Sequence, residues 1–77
     1  MRETLLEMLV ELKPEIDFEK SDNYLEEGLL DSFDIIELIS MVEDRFEVLI
    51  DGMDVLPEHF SNLEQLENLI RKSGYSN

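Results

Sequence analysis

The sequence contains no cysteine, which excludes a disulfide framework and a thiolate metal site. It also contains no apolar run long enough for a signal peptide or a membrane-spanning helix, and its first residues, Met1–Thr4, already include charges of both signs. The lack of disulfides is typical of a reducing compartment. We therefore expect a cytoplasmic location.

Basic residues are scarce. The 77 residues include 6 Lys plus Arg against 20 Asp plus Glu, for a formal net charge of −14. Nucleic acids and anionic membranes carry dense negative charge and repel such a chain, so we expect no nucleic-acid partner and no membrane insertion. Protein partners should present basic patches, and their attraction should weaken with salt. The bland alternative is that the acidity only maintains solubility.

The chain is short, and it has a single histidine. Its 77 residues leave room for one domain, residues 1–77, and a domain of this size buries only roughly 60% of the surface of its unfolded chain. We therefore expect one modest core, no deep substrate pocket and no enzyme activity. His59 has no plausible catalytic triad. Nothing in the sequence indicates an oligomer, so a monomer is expected.

No metal site is expected either. The acidic residues Asp51, Asp54 and Glu58 suggest a calcium loop at first sight. Calcium loops need oxygen ligands at alternate positions with a glycine at the sixth. Gly52 directly follows Asp51 and breaks that spacing, so these residues indicate adventitious divalent-ion binding at most.

Apolar residues at helical spacing predict three longer helices and no strand. The first covers residues 3–13 and ends because Pro14 disfavours helical geometry in the residue before it. The second covers residues 32–47. The third begins at the capping-box pattern Ser61–Glu64 and ends before Gly74, and Pro57 predicts a brief helical turn over residues 57–60. The expected fold class is therefore all α, a small four-helix bundle with three longer helices and one short helix.

A long connection joins the first two predicted helices. Loops of this length are uncommon in a compact domain, but apolar residues are scattered through residues 14–31. We expect these side chains to fix the connection over the core: Ile16, Phe18, Tyr24, Leu25, Leu29 and Leu30.

Asp31 and Ser32 stand where the second helix is predicted to begin. The simplest interpretation is that Asp31 is an N-cap whose carboxylate accepts hydrogen bonds from the first turn. The same position suits another use, because a helix N-terminus has free N–H groups and a partial positive charge that favour a covalently attached phosphate. A serine at the first helical position is also exposed to a modifying enzyme.

The predicted outer face of the second helix combines apolar and acidic residues. This face consists of Phe33, Ile36, Glu37, Ser40, Asp44 and Glu47. Phe33 and Ile36 beside one serine, surrounded by acids, indicate a docking surface for basic, partly apolar partners more than a merely solvated face. Between residues 31 and 54, one base, Arg45, accompanies eight acids: Asp31, Asp34, Glu37, Glu43, Asp44, Glu47, Asp51 and Asp54.

The segment Gly28–Phe33 (GLLDSF), followed by Glu37-Leu38 and Arg45-Phe46, resembles the phosphopantetheine attachment motif of acyl carrier proteins. The resemblance extends over the chain in length and helix order, but only residues 28–46 are specific. It implies that Ser32 receives 4′-phosphopantetheine from coenzyme A, and that Asp31 helps a transferase to recognise its target. The reactive sulfur then comes from the cofactor, which forms a thioester with an acyl or aminoacyl cargo.

The resemblance also implies partners. They are a phosphopantetheinyl transferase, an adenylating ligase or acyltransferase that loads the arm, and an enzyme that accepts the cargo. Phe33, Ile36, Glu37 and Ser40 correspond to the family's partner-recognition helix. The alternative from another class is an unmodified acidic adaptor that docks on a basic partner through this helix and does not need Ser32.

The motif is closer to one subgroup than to others. Phe33 stands where many fatty-acid carriers have leucine, and the runs Glu26–Phe33 and Glu43–Phe46 are similar to D-alanyl carrier proteins. The tryptophan expected before the last helix in that subgroup is missing, because the chain contains none. Fatty acyl, polyketide, nonribosomal peptide and D-alanyl cargoes therefore all stay open.

Overall fold

The computed structural model describes residues 1–20 and 22–75, and within these ranges the regular structure is entirely helical. The three longer helices are α1 (Arg2–Leu12), α2 (Ser32–Phe46) and α3 (Leu63–Lys72). Three short 3₁₀ helices lie in the connections, at Phe18–Lys20, Gly52–Asp54 and Pro57–Phe60. The all-helical fold with three longer helices is confirmed. The short fourth helix is not confirmed, because residues 57–60 form one 3₁₀ turn, a geometry common in short connecting pieces.

Helix α1 packs against the core through Leu5, Met8 and Leu9, which follow helical spacing. It ends at Leu12, one residue before the predicted end. Lys13, the residue before Pro14, leaves helical geometry with φ −140° and ψ 78°. The proline ring clashes with the preceding residue when that residue is helical. The Lys13 N–H still donates to the carbonyl of Leu9 at 2.8 Å, so the backbone of Lys13 stays fixed to the end of the helix.

The connection between α1 and α2 is fixed by buried side chains, as expected. Phe18 and Tyr24 are 2% and 0% exposed and meet edge to face, with ring centroids 5.0 Å apart. The Tyr24 hydroxyl donates to the carbonyl of Phe18 at 3.2 Å, and the Tyr24 N–H donates to the carbonyl of Ser61 at 2.7 Å. Leu30 is also buried. Together these contacts fix the chain just before α2.

Helix α2 is amphipathic in the predicted sense. Leu38, Val42 and Phe46 are buried, and the neighbouring residues of the same stripe, Ile35 and Ile39, pack partly buried against the core. The helix ends at Glu47, which adopts the left-handed conformation with φ 54° and ψ 46°. A residue with a Cβ atom is strained there by roughly 1–2 kcal/mol.

Helix α3 starts one residue later than the predicted capping box requires. Its N-cap is Asn62, whose Oδ1 accepts a hydrogen bond from the Gln65 N–H at 2.9 Å. The prediction of Ser61 as the cap is wrong, because the Ser61 hydroxyl donates to the carbonyl of Glu58 at 2.8 Å and thus closes the preceding 3₁₀ turn. Asn is as good an N-cap as Ser, so the sequence offered two adjacent candidates.

One core joins the three helices and both connections. Its buried residues are Leu5, Met8, Leu9, Phe18, Tyr24, Leu30, Leu38, Val42, Phe46, Val48, Phe60, Leu66, Leu69 and Ile70. Two ion pairs connect α3 to other elements. Glu67 pairs with Arg2 of α1 and Lys72 pairs with Asp54, with N···O distances of 2.7 and 2.8 Å. Within the part of the chain that the structure describes, every helix is too short or too polar to cross a membrane.

Candidate functional site

Ser32 is the first residue of α2, and its side chain is exposed. The residue before it, Asp31, is the N-cap of the helix in extended geometry. Asp31 Oδ1 accepts a hydrogen bond from the Asp34 N–H at 3.0 Å, and Asp34 Oδ2 accepts one from the Asp31 N–H at 3.1 Å. This reciprocal capping box satisfies two free N–H groups of the first turn, so the backbone on both sides of Ser32 is fixed.

The carboxyl of Asp31 is a better acid than an ordinary aspartate. Its pKa is lowered, chiefly because the Asp34 N–H donates a hydrogen bond to the charged form, and the positive charge of Lys13 acts in the same direction. The carboxylate is therefore fully ionised at neutral pH. A fixed negative charge next to an exposed serine gives a partner enzyme with a basic surface a definite point of contact.

Asp34 has a structural role that the sequence analysis did not identify. It is 9% exposed, which is unusual burial for a charged residue. Its Oδ2 lies 3.3 Å from the Nζ of Lys13, the first residue after α1. The Asp31–Asp34 spacing is a visible capping signal, whereas the pairing with Lys13 depends on how α1 and α2 pack and leaves no local signal in the sequence.

The outer face of α2 is exposed throughout the predicted set. Phe33 and Ile36 are 80% and 63% exposed, which is high for large apolar side chains beside a helix start. The polar members of this face are also exposed: Glu37, Ser40, Asp44 and Glu47. We call these six residues the α2 outer face. They form one contiguous mixed surface that begins next to Ser32.

The acidic residues between positions 31 and 54 do not all belong to this surface. Asp34 faces inward, as described above. Glu43 Oε2 accepts a hydrogen bond from the Ile50 N–H at 2.9 Å, and Asp51 Oδ1 accepts one from the Met53 N–H at 2.9 Å. Asp54 pairs with Lys72. Part of the acidity between residues 31 and 54 thus has local structural roles.

An apolar cleft of about 230 Å³ opens beside Ser32, between α2 and the segment before α3. Apart from Ser32, its walls are apolar: Ile35, Ile36, Val55, Leu56, Pro57 and Phe60. Val55 and Leu56 were not singled out from the sequence, although two adjacent apolar residues ahead of Pro57 could have suggested a surface role. The cleft can cover an apolar group that is attached at Ser32.

A second concavity of about 540 Å³ lies on the other side of Ile36, between α1 and α2. Leu12, Ile36 and Met41 give it an apolar floor, and the polar residues at its edge are Glu11, Glu37 and Ser40. Ile36 is therefore a ridge between an apolar cleft beside Ser32 and a wider groove with acidic edges.

The remaining candidates lie apart from this arrangement. His59 Nδ1 donates to the carbonyl of Asp54 at 2.6 Å, which gives the ring a role in the turn before α3. Within residues 1–20 and 22–75, no three acidic or histidine side chains come together in a way that could hold a metal ion. The chemistry-bearing position that stands out is thus the exposed hydroxyl at the start of α2.

Comparison with known protein families gives one result that bears on this position. A family model described as "Phosphopantetheine attachment site" matches residues 3–70. The match covers all three α helices except for Arg2, Arg71 and Lys72, and it includes Ser32, the capping box and the cleft. Comparisons with curated proteins and with solved structures give no match.

Proposed function

Because the chain belongs to the phosphopantetheine attachment-site family, we propose that it is a carrier with a 4′-phosphopantetheine arm on Ser32. The observation that carries this proposal is the exposed Ser32 at the first position of α2, directly after the ionised N-cap Asp31. The whole chain, residues 1–77, then acts as a single carrier domain. The 3₁₀ turn Pro57–Phe60 takes the place of a short fourth helix in this carrier fold.

The modification is a phosphoryl-type transfer from coenzyme A. The Ser32 oxygen attacks the phosphorus next to pantetheine, and a new P–O bond forms there. The P–O bond of the pyrophosphate breaks, and adenosine 3′,5′-bisphosphate leaves. The serine proton passes to a base on the transferase. The N-terminus of α2 supports the product, since its partial positive charge stabilises the new phosphodiester anion.

The partners of such a carrier follow from its surface. Carrier domains of this family interact with modifying and partner enzymes such as phosphopantetheinyl transferases. We assign Asp31 to transferase recognition and the α2 outer face to docking on a transferase, a loading ligase or acyltransferase, and a cargo-accepting enzyme. Phe33 and Ile36 supply apolar contact, and the surrounding carboxylates attract basic residues.

The carrier acts through its arm and not through catalysis of its own. Members of this family are generally not catalytic themselves, and the sulfur that holds the cargo as a thioester comes from the cofactor. The apolar cleft beside Ser32 is suited to cover the arm or a short cargo between encounters. The cargo is an acyl or aminoacyl group, and fatty acyl, polyketide, nonribosomal peptide and D-alanyl transfer all stay open.

Intact-mass spectrometry tests the proposal. Purified apo protein is incubated with coenzyme A and a broad-specificity phosphopantetheinyl transferase. We expect a mass gain of one phosphopantetheine for the wild type and for Ser73→Ala, which removes the serine at the C-terminal end of α3, outside the α2 outer face. Ser32→Ala should stay unmodified with an unchanged helical circular dichroism spectrum. A mass gain in Ser32→Ala would contradict the assignment of the serine.

The rival function is an unmodified acidic adaptor that uses the same exposed face. The 80% exposure of Phe33 supports docking in either case, so the serine separates the two functions. An adaptor keeps its partner and its cellular activity in Ser32→Ala and loses them in Phe33→Ser. A carrier loses its activity in Ser32→Ala while the variant still folds.

A further inference from the structure

Lys13 connects the end of α1 to the start of α2. Its backbone is fixed by the Lys13 N–H bond to the Leu9 carbonyl and by Pro14. Its Nζ lies 3.3 Å from Asp34 Oδ2, and the side chains of the two residues are 32% and 12% exposed. The lysine thus brings a positive charge from one helix to a nearly buried carboxylate in the first turn of another.

One oxygen of the Asp34 carboxylate makes two contacts. Oδ2 is the atom nearest to Lys13 and also accepts the hydrogen bond from the Asp31 N–H at 3.1 Å. The Asp34 N–H in turn donates to Asp31 Oδ1. A continuous chain of contacts therefore runs from Lys13 through Asp34 to Asp31, the residue directly before Ser32.

The electrostatics make this chain dependent on Lys13. A carboxylate that is 12% exposed depends on its polar contacts to offset the loss of water, and Lys13 supplies a positive charge to this one. Without the lysine charge, the Asp34 carboxylate is better solvated when it turns towards water. Its hydrogen bond with the Asp31 N–H is then lost. The first turn of α2 would be held by one half of the capping box, and the position of Ser32 would become less defined.

We propose that Lys13 is a positioning residue for arm attachment, which acts through Asp34 and Asp31 to hold Ser32 in the geometry that the transferase needs. This inference rests on the proposed function of Ser32. Lys13 lies outside the motif residues 28–46, and its effect falls on the reaction step more than on docking, since Phe33 and Ile36 keep their places on the outer face.

The test measures kcat and KM of the transferase with Lys13→Met as the protein substrate. We expect kcat to fall by about tenfold, because small misplacements of a reacting group have effects of this order or larger, while KM for the carrier changes little. Lys13→Arg keeps the charge and should restore kcat. Arg2→Met is the matched control, because it removes the ion pair with Glu67 (N···O 2.7 Å) at the far end of the same helix.

Equal kcat for Lys13→Met and the wild type would overturn the proposal, and so would an equal loss of kcat in Arg2→Met. A second measurement does not involve the transferase. In ¹⁵N NMR spectra, Lys13→Met should speed the hydrogen exchange of the Asp31 and Asp34 amides, whereas Arg2→Met should not. If the wild type gains no arm but these amides respond to Lys13→Met, the proposed function fails and the Lys13 contact chain stands. Unchanged amides contradict the contact chain itself.

Discussion

The two connections around α2 differ in how much of their apolar surface they bury. The connection before the helix, residues 13–31, places Phe18, Tyr24 and Leu30 in the core. The connection after it, residues 47–62, buries Val48 and Phe60 but leaves Leu49 and Met53 82% and 83% exposed. Both connections are rich in apolar residues, so composition alone does not distinguish them.

The difference corresponds to what each connection does for the site. The first connection ends at Asp31 and Ser32, and its aromatic pair and backbone hydrogen bonds fix the position of the serine. The second contributes Val55 and Leu56 to the open cleft beside that serine, and these residues remain 39% and 43% exposed. The first connection holds the proposed attachment point, Ser32, and the second offers apolar surface to the proposed arm.

The largest expected effect would come from breaking the first connection. Phe18→Ala removes a buried ring that contacts Tyr24, and we expect it to lower the free energy of unfolding by about 3–5 kcal/mol, the range for large aromatic deletions in cores. The matched change in the second connection, Met53→Ala, should stay within about 0.5 kcal/mol because its side chain is exposed. Urea unfolding followed by circular dichroism gives both values, and equal losses would contradict the comparison.

High pH should also weaken the first connection. Burial raises the pKa of Tyr24 from 10.0 to about 12, because the charged phenolate is poorly solvated there. The stabilisation from this neutral phenol is complete below pH 10 and is lost as pH rises towards the folded-state pKa. Absorbance titration of Tyr75→Phe, which leaves Tyr24 as the remaining tyrosine, should give a midpoint near 12. A midpoint near 10 would show that Tyr24 is solvated.

The caps at the ends of the two connections should respond differently to acid. Asp31 caps α2 with a charged group of lowered pKa, so its stabilisation is present above its ordinary pKa of 3.8 and is lost as pH falls through the folded-state pKa. Asn62 caps α3 with a neutral amide. Asn62→Ala should therefore cost about 1 kcal/mol at neutral and at acid pH.

Asp31→Ala should lower the melting temperature at neutral pH, and this difference from the wild type should shrink once the pH is below 3.8. Calorimetry of both variants at the two pH values checks the contrast. A penalty for Asp31→Ala that does not change with pH would show that the charge of the cap is not what matters.

The smallest expected effect is a gain in folding stability from a substitution at the start of the second connection. Glu47 occupies the left-handed region at φ 54°, where glycine is free of the Cβ strain. The relief of roughly 1–2 kcal/mol is offset by the larger chain entropy that glycine loses on folding, roughly 0.5–1 kcal/mol. Glu47→Gly should raise the free energy of unfolding by about 0.5 kcal/mol. A loss of stability would mean that the Glu47 side chain has a structural role.

Local patterns in the sequence predicted the helices well. The apolar stripe predicted α1, and Pro14 predicted where it ends. The motif around Ser32 predicted the start of α2. The start of α3 was misplaced by one residue, because Ser61 and Asn62 are both good caps and the choice depends on the preceding 3₁₀ turn. The short helix over residues 57–60 was expected from Pro57 but is only one 3₁₀ turn.

The parts of the candidate site that depend on residues close together in the sequence could be predicted. The parts that depend on tertiary packing could not. The exposure of Phe33 and Ile36 follows from helical periodicity alone. The burial of Asp34 does not, because its partner Lys13 comes from the end of α1, far away in the sequence. The cleft walls at Val55 and Leu56 likewise depend on how the second connection folds back beside α2.

The central claim is that Ser32, and no other serine, carries the arm. After incubation with coenzyme A and a phosphopantetheinyl transferase, the protein is digested, and fragmentation mass spectrometry locates the added mass. We expect one phosphopantetheine on the peptide that contains Ser32, with the fragment ions placing it on that residue. An arm on Ser40 or another serine, or no arm on a protein whose fold is verified in the same sample, would contradict the account.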